Sequence, residues 1–464
     1  MPLPDKRPYW PTNHAASYFL LTLVQFTLKL ERPSCYNTDK KSAFDCVDMK
    51  LAKIKQLFPH HGLESPEEYF SELLSNGKFK TALSGRKRVA IAVGSRGISN
   101  LAMFVSELVR YLKALDIEPF IVPAMGSHGG ASASGQTEVL NKLGITQESV
   151  KARILSSMDT ITLGNVEMDG IEYRVYVDKI AWQADGVILI NRVKPHTDFI
   201  GKYESGLVKM STIGLGNHAG AQQVHSLGVR GLSELIPVLA KAVLSDSKAV
   251  GGFAVIEDAY HTTAGLHWLD REQIMDEEPQ LLERARSLMP RLPVDNIDLL
   301  IIKQMGKEIS GVGLDTKIIG RLMIWDREEF SGPRIELIGV CDITEASYGN
   351  ALGVGLADFT TRKLFEKIDF DSMKENILTS TFYQRGKIPL VFEDERELLD
   401  AALQHFQRRG VTKPKVIVIK DTLSLDEIHV SLSVLEETEG RDDIELVSEL
   451  REIEFDKNNG IVVC

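Results

Sequence analysis

Cysteine is scarce in this chain. Cys35, Cys46, Cys341 and Cys464 are scattered over 464 residues, and no two form a CxxC pair. That spacing argues against a disulfide framework or a structural zinc site, and a reducing, cytoplasmic setting is expected. Basic charge is also in deficit: 54 Lys and Arg face 65 Asp and Glu, a net −11. Nucleic-acid binding, which needs a concentrated basic face, is therefore not expected, although a local basic pocket for a small anion is still allowed. No apolar run is long enough to span a bilayer. The stretch from Tyr18 to Leu28 looks like a signal-peptide core but is too short to cross, and no small-residue cleavage site follows it. Solenoid repeats, low-complexity tracts, a GxGxxG fingerprint, a Walker A lysine and an HExxH pair are all missing. With 43% hydrophobic and 26% charged residues, what is left is a globular protein long enough for two cores.

Apolar runs that end in glycine organise the chain. Val89 to Val93 runs into Gly94-Ser95-Arg96-Gly97, with a helical pattern from about Asn100. Pro119 to Pro123 repeats the plan, leading to Gly126-Ser127-His128-Gly129-Gly130 and a helix near Gln136 to Leu143. Further strands are expected at Gly186 to Ile190, Gly252 to Ile256, Asp298 to Ile302 and Lys415 to Ile419. Helices are expected at Leu232 to Leu244, Arg362 to Ile368 and Arg396 to Phe406. The alternation predicts an α/β fold of two α/β domains with a cleft between them, the N-terminal one carrying a largely parallel sheet. The expected layout is an appendage or early-called start at 1–48, a cofactor-binding catalytic domain at 49–268, a charged connection at 269–296, and a C-terminal domain at 297–464.

Ligands of such sheets sit past the carboxyl ends of the strands, where Arg96, His128 and His196 all fall. Arg96 is suited to hold a carboxylate or phosphate through two parallel bonds. Ser127, Gly129 and Gly130 can present backbone N–H groups to an anion at a helix start. His128 and His196 together offer an acid and a base of matched strength, as inversion at a stereocentre needs. Lys209, in Ser205-Gly206-Leu207-Val208-Lys209, is a natural anchor for a covalent cofactor, and His225 follows shortly after.

The run Lys194-Pro-His-Thr-Asp-Phe, followed by Glu204-Ser-Gly-Leu-Val-Lys-Met and Gly214-Leu-Gly-Asn-His-Ala-Gly-Ala, resembles the lactate racemase family that uses a nickel-pincer nucleotide. The earlier Gly126-Ser-His-Gly-Gly and Gly94-Ser-Arg-Gly motifs fit it too. The resemblance implies an isomerase, a racemase or epimerase of a 2-hydroxy acid. Its cofactor would be a pyridinium mononucleotide with two sulfur arms, tethered to Lys209, with nickel bound by His225. His128 and His196 would be its acid/base pair, passing the hydroxyl proton while the C2 hydride moves to the cofactor and back. Arg96 would bind the substrate anion and Lys317 would cover its carboxylate. His218 is a rival nickel ligand and Lys202 a rival tether. The tyrosine-glutamine pair expected before Lys317 is missing, which implies a different or larger acid than lactate. The expected partners are that small acid and the enzymes that make the cofactor; no membrane or nucleic acid is expected, and self-association is compatible. Two other readings stay open: a non-catalytic nucleotide or anion binder, and a His-metal hydrolase or lyase, which leaves Lys209 unexplained.

Overall fold

Continuous β-branched and aliphatic runs fit strands covered on both faces, and the expected runs fold that way. The computed structural model describes residues 49–95, 97–325 and 327–462. The expectations for residues 1–48, Arg96 and Cys464 lie outside the described residues. Strand β1 (Lys50–Gln56) opens the described chain. Then come β2 (Arg88–Val93), β3 (Glu118–Pro123), β4 (Arg153–Ile154), an antiparallel hairpin of β5 (Thr160–Met168) and β6 (Ile171–Asp178), β7 (Gly186–Arg192), β8 (Ala249–Glu257) and β9 (Thr263–Asp270).

The first sheet has the order β4-β3-β2-β7-β8-β9, all parallel except β9. From β2 the chain moves outward through β3 and β4, then returns to the other side of β2 as β7. The switch point lies between β2 and β7, where a doubly wound sheet leaves a crevice past its strand ends. Side chains along β2 and β7 alternate between two cores. Ala90, Ala92, Val187 and Leu189 join one, while Val89, Ile91, Val93, Ile188 and Ile190 join the other. The helix Leu101–Ala114 covers the second core with Leu101, Phe104, Val105, Leu108 and Leu112, a spacing that sets one face against the sheet.

The second sheet is built from β10 (Asn296–Ile302), β11 (Arg334–Val340), β12 (Phe359–Thr361), β13 (Leu390–Phe392), β14 (Val416–Ile419) and β15 (Glu427–Ser431). Its order runs β13-β12-β11-β10-β14-β15-β1, parallel from β13 to β14, with a separate core. Both halves are therefore α/β. Two segments differ from the sequence reading. β1 pairs with β15 and so belongs to the second sheet, not the first. The charged stretch taken as a connection contains the helix Ile274–Ser287, which buries Ile274, Glu278, Leu282 and Ala285. Among the described residues no helix is long and apolar enough to cross a membrane.

Candidate functional site

Three loops from neighbouring strand ends, β3, β2 and β7, converge on one helical segment. The segment begins as Leu207–Lys209 and widens into a π-turn over Met210–Gly214, closed by Leu215 N–H donating to Met210 O at 2.9 Å. Such wide turns are uncommon and recur at functional sites. Glycine allows the loops to approach. A Cβ at Gly94, after β2, would lie 3.4 Å from Met210, and one at Gly126, after β3, would lie 3.0 Å from Ile213 and 3.3 Å from Ala221. Gly126 N–H also donates to Gly214 O at 3.2 Å. The next helix, Asn217–His225, continues the segment and carries His225 at its end.

The loop after β7 is closed on itself. Lys194 and Ser205 exchange backbone bonds at 2.9 and 3.1 Å, and His196 lies inside. Asp198 N–H donates to His196 Nδ1 at 3.1 Å. The ring's Nε2 lies 2.7 Å from Lys209 Nζ. Phe199 stacks on the imidazole with ring centroids 4.9 Å apart. Burial, reinforced by the Lys209 charge, holds His196 well below the ordinary imidazole pKa. His225 is pushed down to about 4, first by burial and then by Lys209, with Asp198 opposing. Both imidazoles are thus neutral at physiological pH and keep a lone pair.

His196, Lys209 and His225 therefore share one electrostatic neighbourhood. The rival residues lie elsewhere: His218 is exposed, and the exposed Lys202 extends over the Tyr203 ring at 5.2 Å. His128 is exposed and its Nδ1 bonds Ser95 Oγ. It joins the others through its loop, which packs on the Lys209 segment. Ser127 and Gly130 are exposed and Gly129 is half-buried; Gly129 and Gly130 have positive φ of 67° and 64°. They precede the ten-residue helix Ala133–Lys142, whose N-cap Ser132 accepts from Gly135 N–H at 3.2 Å. Lys317 reaches the His196 loop, but its ammonium bonds Glu204 Oε2 at 3.3 Å and Phe199 O at 3.4 Å. It therefore braces the loop.

Two acids escaped the sequence reading. Glu204 has a wholly buried side chain and accepts from His196 N–H, Gly201 N–H, Arg286 and Lys317. Glu278, also buried, accepts from Leu207 N–H at 2.6 Å and Val208 N–H at 3.0 Å, capping the helix that carries Lys209. Glu204 stands at the start of the Glu204-Ser-Gly-Leu-Val-Lys-Met motif, two positions before Gly206. Glu278 had no local signal, because its partners lie some seventy positions earlier.

Together these features define an α/β protein with a lysine–imidazole site at the switch point of its first sheet. Residues 41–234 match the family model described as the lactate racemase N-terminal domain. Among solved structures it is similar to a Thermotoga maritima protein at 14% identity, over 72% of this chain and 90% of that one, with a TM-score of 0.48. It is also similar to the lactate racemase apoprotein of Thermoanaerobacterium thermosaccharolyticum at 13% identity, over 81% of this chain and 99% of that one, with a TM-score of 0.47. No curated protein matches the sequence.

Proposed function

We propose that this protein is a racemase or epimerase of a 2-hydroxy acid that works with a nickel-pincer nucleotide in the cytoplasm, the cofactor being supplied by its own biosynthetic enzymes. The single observation that carries the reading is the 2.7 Å contact between His196 Nε2 and Lys209 Nζ, with His225 in the same neighbourhood. The donor set fits such a cofactor. Among the described residues no group of three His, Cys, Asp or Glu side chains is placed to hold a metal. A metal here must then arrive with most of its donors already attached, needing one neutral imidazole and one amine from the protein. His225 and Lys209 are of those kinds. The Gly129-Gly130 turn and the helix start behind it suit the nucleotide phosphate.

When bound, the cofactor supplies the acceptor for the C2 hydrogen and its electron pair. The protein does the rest. His196, a neutral imidazole beside the tether lysine, exchanges the hydroxyl proton on one side, and His128 serves the other. Arg96 holds the substrate carboxylate. The braced Lys317 and the missing tyrosine-glutamine pair favour an acid other than lactate.

The test is mass spectrometry and metal analysis of the protein produced together with the cofactor-making enzymes. An adduct at Lys209 and about one nickel per chain are expected, one imidazole and one amine being the protein's share of a single site. Lys209→Ala should lose the adduct and racemise none of a panel of 2-hydroxy acids. A wild-type chain without adduct or nickel, inactive on the whole panel, would overturn the reading.

A further inference from the structure

Arg385 is the largest wholly buried side chain among the described residues, and it belongs to the second half of the molecule. Its own backbone is fixed there, with Gly353 N–H donating to Arg385 O at 3.0 Å in the short turn Tyr383–Gly386. The guanidinium does not stay with that half. Nη1 donates to Asp198 Oδ1 at 2.5 Å, Nη2 to Thr197 O at 3.5 Å, and Nε to Leu322 O at 2.9 Å. Its Cζ lies 4.6 Å from the centroid of the Phe382 ring, which packs into the core of the first half.

Thr197 and Asp198 are the two residues that follow His196. Asp198 holds the ring from both ends of its own structure: its N–H occupies Nδ1, and its Oδ2 lies 3.7 Å from the same atom. Rotation of Asp198 would therefore release Nδ1 and with it the choice of ring nitrogen that carries the proton. Thr316 Oγ1, also from the second half, donates to Thr197 O and restrains the same stretch. A planar fork suits this position, because three acceptors in different directions must be met by one buried cation.

We propose that Arg385 is a positioning residue of the site: by fixing Thr197 and Asp198 it sets the tautomer and aim of His196, so that the histidine is correctly oriented only when the second half is docked. The proposal rests on His196 being the proton-exchanging group of the function proposed above, and it extends that function to a residue 187 positions away from Asp198.

The experiment uses full-length, cofactor-free protein labelled with 15N at histidine, with the His196 signals assigned by their loss in His196→Gln. The wild type should show one tautomer. Arg385→Met should show a mixture of tautomers, and Arg385→Lys, which keeps the charge but loses the planar fork, should restore the single form only in part. In cofactor-loaded enzyme Arg385→Met should lose kcat by about a hundredfold, the effect of displacing a reacting group by about 1 Å, with KM little changed. If Arg385→Met does not fold, the neutral pair Arg385→Met with Asp198→Asn carries the same measurement and should also show the mixture. A folded variant with a lowered melting midpoint, the single wild-type tautomer and unchanged kcat would make Arg385 merely structural and overturn the proposal. Because the tautomer is read without cofactor or turnover, an inactive wild type whose tautomer still follows Arg385 would count against the racemase reading and in favour of the positioning.

Discussion

Glu278 places a carboxyl group where water cannot reach it, with two amide hydrogens in front of it. The amides favour the carboxylate, but burial outweighs them and pushes its pKa up from 4.5 to about 7. Between those values the folded chain holds a proton that the unfolded chain has released. Its contribution to stability is therefore complete below pH 4.5 and is lost as the pH rises through about 7. The loss amounts to roughly 3 kcal/mol. Glu278→Gln cannot titrate and should not show it. Urea unfolding of the two proteins at several pH values should give curves that diverge across this interval, the wild type weakening towards neutrality. Parallel curves would mean that Glu278 stays ionised in its pocket. The same side chain shows why buried acids deserve separate treatment from surface ones: its charge state is coupled to the helix on which Lys209 stands.

That coupling is expressed in the junction of two elements, the Lys209 helix and the helix Ile274–Ser287. Gly206 is where they meet, for a Cβ there would lie 2.5 Å from the Glu278 carboxyl carbon. Its backbone is extended, so the requirement is space rather than a left-handed conformation. Gly206→Ala should drive Glu278 off Leu207 and Val208, leaving buried N–H groups unsatisfied at about 1–3 kcal/mol in all. In a Glu278→Ala background the same substitution should cost much less, and a double-mutant cycle by thermal unfolding reads the difference. Additive effects would show that the two residues do not compete for one space. At this scale the sequence was informative wherever a pattern was local. β2, β3, β7 and β10 were legible because short uninterrupted apolar runs have few other uses, and the His196 and Lys209 motifs lie within one loop and its following helix. The helix Ile274–Ser287 was hidden for a physical reason. Its inner face carries Glu278 between Ile274 and Leu282, and Pro279 lies inside it, so polarity and proline masked a helical repeat. The membership of β1 in the second sheet was equally hidden, since its partner Ser431 lies far along the chain.

Across the whole molecule, one buried carboxylate joins parts that the sequence keeps apart. Glu204 meets the backbone of its own loop at His196 and Gly201, Arg286 on the helix Ile274–Ser287, and Lys317 from the second half. No single contact explains its burial; the convergence of two cations and two amide hydrogens does, because only then is the desolvation of a full charge offset. The same arrangement engages Lys317, the lysine that the sequence assigns to the substrate carboxylate. A lysine near the site end of the second half has two uses, and the fold shows that an internal acid engages it. Removing that acid while keeping its shape exposes the balance. Glu204→Gln should leave two half-buried cations facing a neutral amide and lower stability, visible as a lowered calorimetric midpoint. Adding Lys317→Met to Glu204→Gln should recover part of the loss, since one stranded charge disappears with its partner. The loop from 196 to 204 should also become the first site cut by a protease in Glu204→Gln, because its backbone amides lose their acceptor. If the double variant is less stable than Glu204→Gln alone, Lys317 contributes through its packing on Phe330, whose ring centroid lies 5.4 Å from Nζ, and the electrostatic account of how the halves hold this loop fails.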